Sequence, residues 1–214
     1  MRLCMFHPVG HPMERGWVGR VDDERVVHLA AQTLQSFFTG GGTAREHAEY
    51  PLAEVCLLAP VLHPPSIRIF DEQASFAFAN PAAVVGPDAS ISGPTPSMTV
   101  LPRVAAIIGA GGAIGGFTLL AEWRAAGLAP PKDRDFALGL GPVVVTGEAG
   151  ETDGFDWSAA LELASSGTAL YPGDVLAAPA AEPIVATPGD VVEIAIDWIG
   201  SLEQRLAVDR GAGV

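Results

Sequence analysis

The chain has 214 residues, enough to bury a sizeable core in one domain and too few for a second full catalytic domain. Its 25 acidic against 12 basic residues give a formal net charge of −13, which repels phosphate backbones and anionic membranes and leaves small molecules or other proteins as the expected partners. Although 49% of the residues are hydrophobic, Gly, Pro or a charge interrupts the apolar stretches well short of the roughly 20 residues that a spanning helix requires, so no membrane segment is expected.

With 25 Gly and 18 Pro between short Val/Ile/Leu/Ala runs, many strands joined by tight turns are predicted. The opening MRLCMFHPVGHPMERGW has neither an extended apolar core nor a small-residue cleavage pattern, so it predicts no secretory signal and a cytoplasmic protein. Cys4 and Cys56 lie in apolar, strand-like surroundings and are expected to be free buried thiols. His7 and His11 have the spacing of two ligands on one helical turn, but Pro8, Gly10 and Pro12 argue for a loop. His28 and His63 have no second ligand nearby in sequence, so no histidine metal site is expected.

Gly16–Val21 and Arg25–Ala30 predict a hairpin around Asp22 and Asp23, while Val55–Ala59 and Ala82–Gly86 predict buried strands. The glycine-rich stretch 109–115 follows an apolar strand, yet its spacing is not that of GxGxxG, no β-α-β unit follows, and no acidic residue stands where a ribose would be held. A flexible turn is expected there. Two helices are predicted: Leu119–Leu128, stopped by Gly127, and Trp157–Ser166, capped by Asp156. Pro172-Gly173-Asp174-Val175 and Pro188-Gly189-Asp190-Val191 repeat one device, a turn feeding an apolar strand, which suggests a folded-over sheet with barrel-like closure. The Ala/Pro-rich stretch Ala177–Thr187 is expected to be a surface loop. No GxSxG elbow and no Cys-to-His pairing signature occurs.

Seven blocks in order, VCLLAPVLHPPSIRI (Val55–Ile69), NPAAVVGP (Asn80–Pro87), AAIIG (Ala105–Gly109), GFTLLAEW (Gly116–Trp123), KDRDFALGLGPVVVT (Lys132–Thr146), YPGDVLA (Tyr171–Ala177) and Pro188–Leu202, resemble those of the fumarylacetoacetate hydrolase family. The resemblance covers most of the chain. It implies an α+β, mostly β fold, a mixed β-roll or barrel with a few short helices, usually dimeric. It also implies hydrolysis, decarboxylation or isomerisation of oxo and diketo acids with Mg²⁺ or Mn²⁺. Residues 1–60 are then a small N-terminal β region and 61–214 the fumarylacetoacetate hydrolase-like domain, forming one compact unit.

Hard divalent cations take carboxylate oxygens and polarise a dicarbonyl or its enolate, which is why that chemistry uses acids. The resemblance places the first two of three carboxylates at Leu101 and Arg103, and the third at Glu122. One plausible ligand remains, beside an arginine, so no metal is expected. The family's Gly-Thr-Pro loop is replaced by Ala178-Pro179-Ala180, its lid is reduced to Phe70-Asp71-Glu72-Gln73, and its water-activating histidine has no equivalent. Lys132, three residues before Asp135, stands where the family places its active-site lysine.

The expected protein is therefore a metal-independent, homodimeric enzyme that binds an apolar, enolisable, polyketide-like carbonyl compound. It would catalyse proton-transfer, C–C bond or cyclisation chemistry, as in secondary metabolism. Lys132 and Glu122 are the expected catalytic residues, with Arg103, Leu101, Asp135, Phe136 and Pro179 around the substrate. The bland alternatives are a surface pair of Lys132 with Asp133 or Asp135 and a salt bridge from Glu122 to Arg124 or Arg103. Two other functions stay open: a non-catalytic homologue acting as a binding protein or inert subunit, and a conventional Mg-dependent enzyme whose ligands include Asp71 and Glu72.

Overall fold

Short extended segments separated by Gly- and Pro-bearing turns pair into sheets throughout a computed structural model that describes residues 1–148, 150 and 154–207. The first half supplies β1 (Arg2–Pro8), β2 (Trp17–Asp22), β3 (Arg25–Leu29), helix α1 (Leu34–Thr39), β4 (Glu46–Pro51), β5 (Val55–Leu58), β6 (Ile67–Glu72), β7 (Ser75–Ala79), β8 (Val84–Val85) and β9 (Ser90–Ile91). There follow β10 (Met98–Ile108), β11 (Ile114–Ala125), β12 (Leu138–Val145), helix α2 (Trp157–Ser165), β13 (Val175–Ala177), β14 (Ile184–Ala186), β15 (Val191–Ile196) and β16 (Gly200–Leu206).

Thirteen strands form one mixed sheet with the path β4-β3-β2-β1-β12-β11-β10-β13-β6-β7, to which β14, β5 and β8 add at β10, β1 and β12. The remaining three form a small sheet, β15-β16-β9. Residues 1–60 thus join the rest through the antiparallel β1–β12 pairing. The mostly-β α+β architecture is as expected, but the barrel closure is not: among the described residues the path ends at β4 and β7, which do not pair with each other.

Alternation along β10 sends Val100, Val104, Ala106 and Ile108 into one core and Ala105 and Ile107 into the other. The small sheet and α2 cover the first, through Ile194, Leu202, Trp157 and Ala160. Helix α1 covers the second, through Leu34, Phe37 and Phe38. The small sheet is fastened to the large one by buried Gln204, whose Oε1 accepts from Trp123 Nε1 at 2.7 Å and whose Nε2 donates to Gly86 O at 3.0 Å. Gly139 makes room for it, since a Cβ there would lie 2.3 Å from Gln204 Oε1.

Several local expectations need correction. Leu119–Leu128 is not a helix, because 119–125 lie in β11, hydrogen-bonded to β10 on one side and β12 on the other. A run buried on both faces carries no helical or alternating signature, and pairing on both edges overrides its helix-forming Leu and Ala. Ala177–Thr187 is no surface loop, since β13 and β14 sit in it and Ala177, Ala178 and Ala186 are buried. The strand at 55–58 is only partly buried, and 82–86 begins in a 3-10 turn at Pro81–Ala83 before the short β8. His7 lies within β1. Cys56 is exposed, whereas Cys4 is buried and its thiol is pushed up to about 12 by that burial.

Other expectations hold. The 16–30 hairpin is β2–β3, the 109–115 stretch is the β10–β11 turn with Gly111 in the left-handed region at φ 65°, and Asp156 caps α2 by accepting from Ser158 N and Ala159 N. The repeated Pro-Gly-Asp device has one mechanism: Asp174 Oδ2 accepts from Tyr171 N at 2.7 Å and Asp190 Oδ2 from Thr187 N at 2.8 Å, each carboxylate stapling its own turn. No helix among the described residues is long and apolar enough to cross a membrane.

Candidate active site

The long antiparallel pair β10–β11 places the expected metal-ligand positions. Leu101 lies opposite Glu122 and Arg103 opposite Leu120, so Leu101, Arg103 and Glu122 share one face, with Arg103 diagonal to Glu122. Arg124, two residues beyond Glu122 on the same strand, joins them.

These charges form a closed network. Arg103 Nε donates to Glu122 Oε2 at 2.9 Å, Nη1 to the carbonyls of Phe70 and Ala178 at 2.9 Å each, and Nη2 to Asp71 Oδ1 at 2.7 Å. Nη2 also lies 2.8 Å from Glu122 Oε2, so all five N–H groups of the guanidinium have acceptors. Glu122 is equally occupied, because its other oxygen, Oε1, accepts from Arg124 Nε at 2.8 Å with Arg124 Nη2 at the same distance. Both side chains are fully buried, and such a pair persists only when every lone pair and proton is answered.

Asp71 is the partly solvated end of the network, its side chain 62% exposed. Partial burial works to raise its carboxyl, but the hydrogen bond and charge of Arg103, with the charges of Arg124 and Arg134, outweigh that and hold it below the ordinary aspartate range.

A divalent cation does not fit these residues. One expected ligand position is apolar, one is cationic, and both oxygens of the third are taken by guanidinium groups. Asp71 and Glu72 do not rescue the site: Asp71 is bound to Arg103, and Glu72 Oε1 accepts from Ser75 Oγ at 3.0 Å. Among the described residues no group of three or more His, Cys, Asp or Glu side chains could hold a metal ion.

The other expected site residues divide. Lys132 is 76% exposed on the turn between β11 and β12, where Nζ donates to Asp135 Oδ2 at 2.7 Å. The Asp135 carbonyl accepts from Asn80 Nδ2 at 2.9 Å, and Phe136 packs against the core shared with Trp123 and Trp157. Lys132 makes no hydrogen bond to the Arg103–Glu122 network. Both ion pairs weighed for Glu122, to Arg103 and to Arg124, are present together.

Arg103 and Pro179 line a cavity of about 380 Å³, together with Gln73, Pro102, Val104, Phe155, Ala178, Ala180, Ala181 and Ile194–Ile196. Pro102 and Val104 belong to the face of β10 opposite Leu101 and Arg103, so the cavity lies largely across the strand from the ionic network. Sequence reasoning missed Phe155, Ile194 and Ile196 as cavity walls. The dense alternation of β15 marks Ile194 as inward-facing, but nothing local pairs it with Phe155. The signal for Arg124 was its i+2 spacing from Glu122, which brings side chains together on a strand and separates them on a helix.

No family model matches the sequence, and no curated protein matches it. Solved structures do match in fold. Maleylpyruvate hydrolase from Sphingobium sp. SYK-6, in complex with manganese(II) and pyruvate, superposes with a TM-score of 0.78 at 19% identity, over 97% of this chain and 99% of that one. The 5-carboxymethyl-2-hydroxymuconate delta-isomerase of Mycobacterium smegmatis gives 0.75 at 21% identity, with the same coverage. A 2-keto-3-deoxy-D-arabinonate dehydratase complexed with magnesium and 2,5-dioxopentanoate gives 0.77 at 15%, again over 97% and 99%. The chain has the fumarylacetoacetate hydrolase-like fold, in a divergent form whose described residues lack the metal-binding cluster.

Proposed function

We propose that this protein acts without a metal on a small, apolar, enolisable carbonyl compound, moving a proton or supporting C–C bond or ring-closing chemistry, and that it works as a homodimer. The observation that carries the reading is Arg103: a buried guanidinium, every donor engaged, stands where the resemblance requires a carboxylate ligand. The guanidinium takes up the carboxylate oxygens that would otherwise hold an ion, so the site is charge-balanced without one. The names of the matching structures support the substrate class, since a hydrolase, an isomerase and a dehydratase of oxo acids share an enolisable carbonyl. In this reading Lys132, with Asp135, exchanges the proton, and Glu122 positions the two arginines.

The test is proton exchange at the acidic carbon of 2-acetylcyclohexanone in D₂O, followed by NMR with the protein in EDTA. Exchange above the buffer rate is expected, and Lys132→Met should lower it by about 10²–10⁴-fold. No acceleration with or without Mn²⁺ would sink the catalytic reading, and acceleration only with Mn²⁺ would sink its metal independence.

A second reading, a non-catalytic binding protein, is favoured by one specific feature. Glu122 has no free oxygen and Lys132 is largely in solvent, so neither presents an idle proton-transfer group within the network. Saturable binding of a carbonyl compound with no proton exchange would establish that reading instead.

A further inference from the structure

We infer that the ligand of this chain sits in the cavity across β10 from the ionic network, and that it is an uncharged compound with a flat unsaturated portion lying against Phe155. The inference rests on the reading that the chain takes a small carbonyl compound and specifies where and of what charge; Lys132 and Asp135 are not among the described residues of this wall, so binding here and proton exchange at Lys132 are tested separately.

The first argument is a donor count. A carboxylate or phosphate needs N–H groups or an unanswered cation. Among the described residues Arg103 is the one charged side chain in the cavity wall, and its five N–H groups are used by Glu122, Asp71 and the carbonyls of Phe70 and Ala178. Among the described residues Gln73 is the one polar uncharged side chain there, and its amide is held in place, with Nε2 donating to Asp156 O and Oε1 accepting from Asp156 N, both at 2.9 Å, which leaves a single neutral side-chain N–H without a partner. Every other described wall residue is Gly, Ala, Pro, Val, Ile or Phe. An anion moved into this space would lose its hydration and find no unanswered cation and one neutral side-chain N–H among the described residues, whereas an apolar compound gains in proportion to the area it buries.

The second argument is the shape of the wall. Phe155 is backed by Phe70, with ring centroids 5.5 Å apart at 65°, and by Trp157, at 4.9 Å and 88°. Two edge-to-face contacts fix the ring from behind and leave the cavity side for a flat partner. The reciprocal Gln73–Asp156 pair ties the β6–β7 turn to the residue next to Phe155, which makes Gln73 a positioning residue for that wall. Ile194 and Ile196 stand in the wall from the small sheet. The volume suits a single small molecule.

The experiment uses two fluorescent aromatics of opposite character on the full chain in EDTA: Nile red, which is neutral and planar, and the anion 1-anilinonaphthalene-8-sulfonate. One equivalent of Nile red should bind saturably, and the anion at least about tenfold more weakly. Phe155→Ala should weaken Nile red about tenfold, and Ala180→Phe, which fills the cavity from a half-exposed position, should abolish binding. Gln73→Ala should weaken it less, and restoring the amide in Gln73→Asn should recover none of the loss if reach matters. Equal affinity for the anion would overturn the inference, as would undiminished Nile red binding in Ala180→Phe with an unchanged circular dichroism spectrum. If Phe155→Ala fails to fold, Ala180→Phe decides alone. The proton-exchange assay separates the two levels: no exchange with cavity binding intact removes the catalytic reading only, while exchange that survives in Ala180→Phe removes the cavity.

Discussion

Arg103 is tolerated in the interior because the chain answers each of its donors, and the converse follows for any variant that breaks the set. Arg103→Met keeps the aliphatic stem but leaves buried Glu122 with one guanidinium and two carbonyls without donors, so a loss of roughly 3–5 kcal/mol is expected in urea unfolding. Adding Glu122→Gln should cost less than the sum of the two single changes, because it removes the orphaned charge. Strict additivity would show that the pair is not coupled. Site geometry can be tested by reversal. Leu101→Glu with Arg103→Glu and Arg124→Ser puts three carboxylates on the shared face of β10–β11, and this variant should retain about one equivalent of Mn²⁺ that the unaltered chain does not. A variant that folds and holds no Mn²⁺ would show that these three positions no longer converge.

At the scale of elements, the N-terminal strands carry a pH response of their own. His28 on β3 stacks on Trp17 of β2, with centroids 4.8 Å apart at 16°, and lies 5.1 Å from His47 on β4. Burial, and then the charge of His47, hold the His28 imidazole below its ordinary value. The unfolded chain therefore takes up a proton that the folded chain resists. The stability contributed is complete above about pH 6.5 and declines as the pH falls from there toward the lowered folded value. Melting temperature should drop between about pH 7 and pH 5, and His28→Gln should flatten that part of the profile. An unchanged slope in His28→Gln would assign the response elsewhere. The charged side chains on these strands are paired with one another, as Arg20–Asp22, Arg20–Glu46 and Arg25–Glu49.

For the whole molecule, the proposed homodimer predicts a sedimentation mass near twice the 22.1 kDa of one chain. A single-chain mass at micromolar concentration would exclude it. The edge strand β7 has the sequence SFAFA, with no charge and with Phe78 67% exposed, whereas the molecule as a whole carries a formal charge of −13. Two like-charged copies meet at least electrostatic cost where the surface is neutral. Phe78→Lys is therefore the change to compare with the unaltered chain in that experiment.

What the sequence by itself determined are features whose cause is local or survives in order along the chain. The Pro-Gly-Asp turns, the Asp156 cap, the 16–30 hairpin and the mostly-β class follow from turn chemistry and short apolar runs, and the succession of blocks pointed to the fumarylacetoacetate hydrolase-like fold. The loss of carboxylates at 101 and 103 was equally legible, since it needs only residue identity. Tertiary structure alone decided the rest. β11 has the composition of a helix and became a strand because both its edges are paired and both its faces buried. The acceptors of Arg103 come from Phe70, Asp71, Glu122 and Ala178, positions far apart in the chain whose meeting depends on β6, β10, β11 and β13 lying side by side. Phe155 and Ile194 share the cavity wall for the same reason: the packing of the small sheet and α2 on the large one puts both there, and no periodicity along a single strand encodes that.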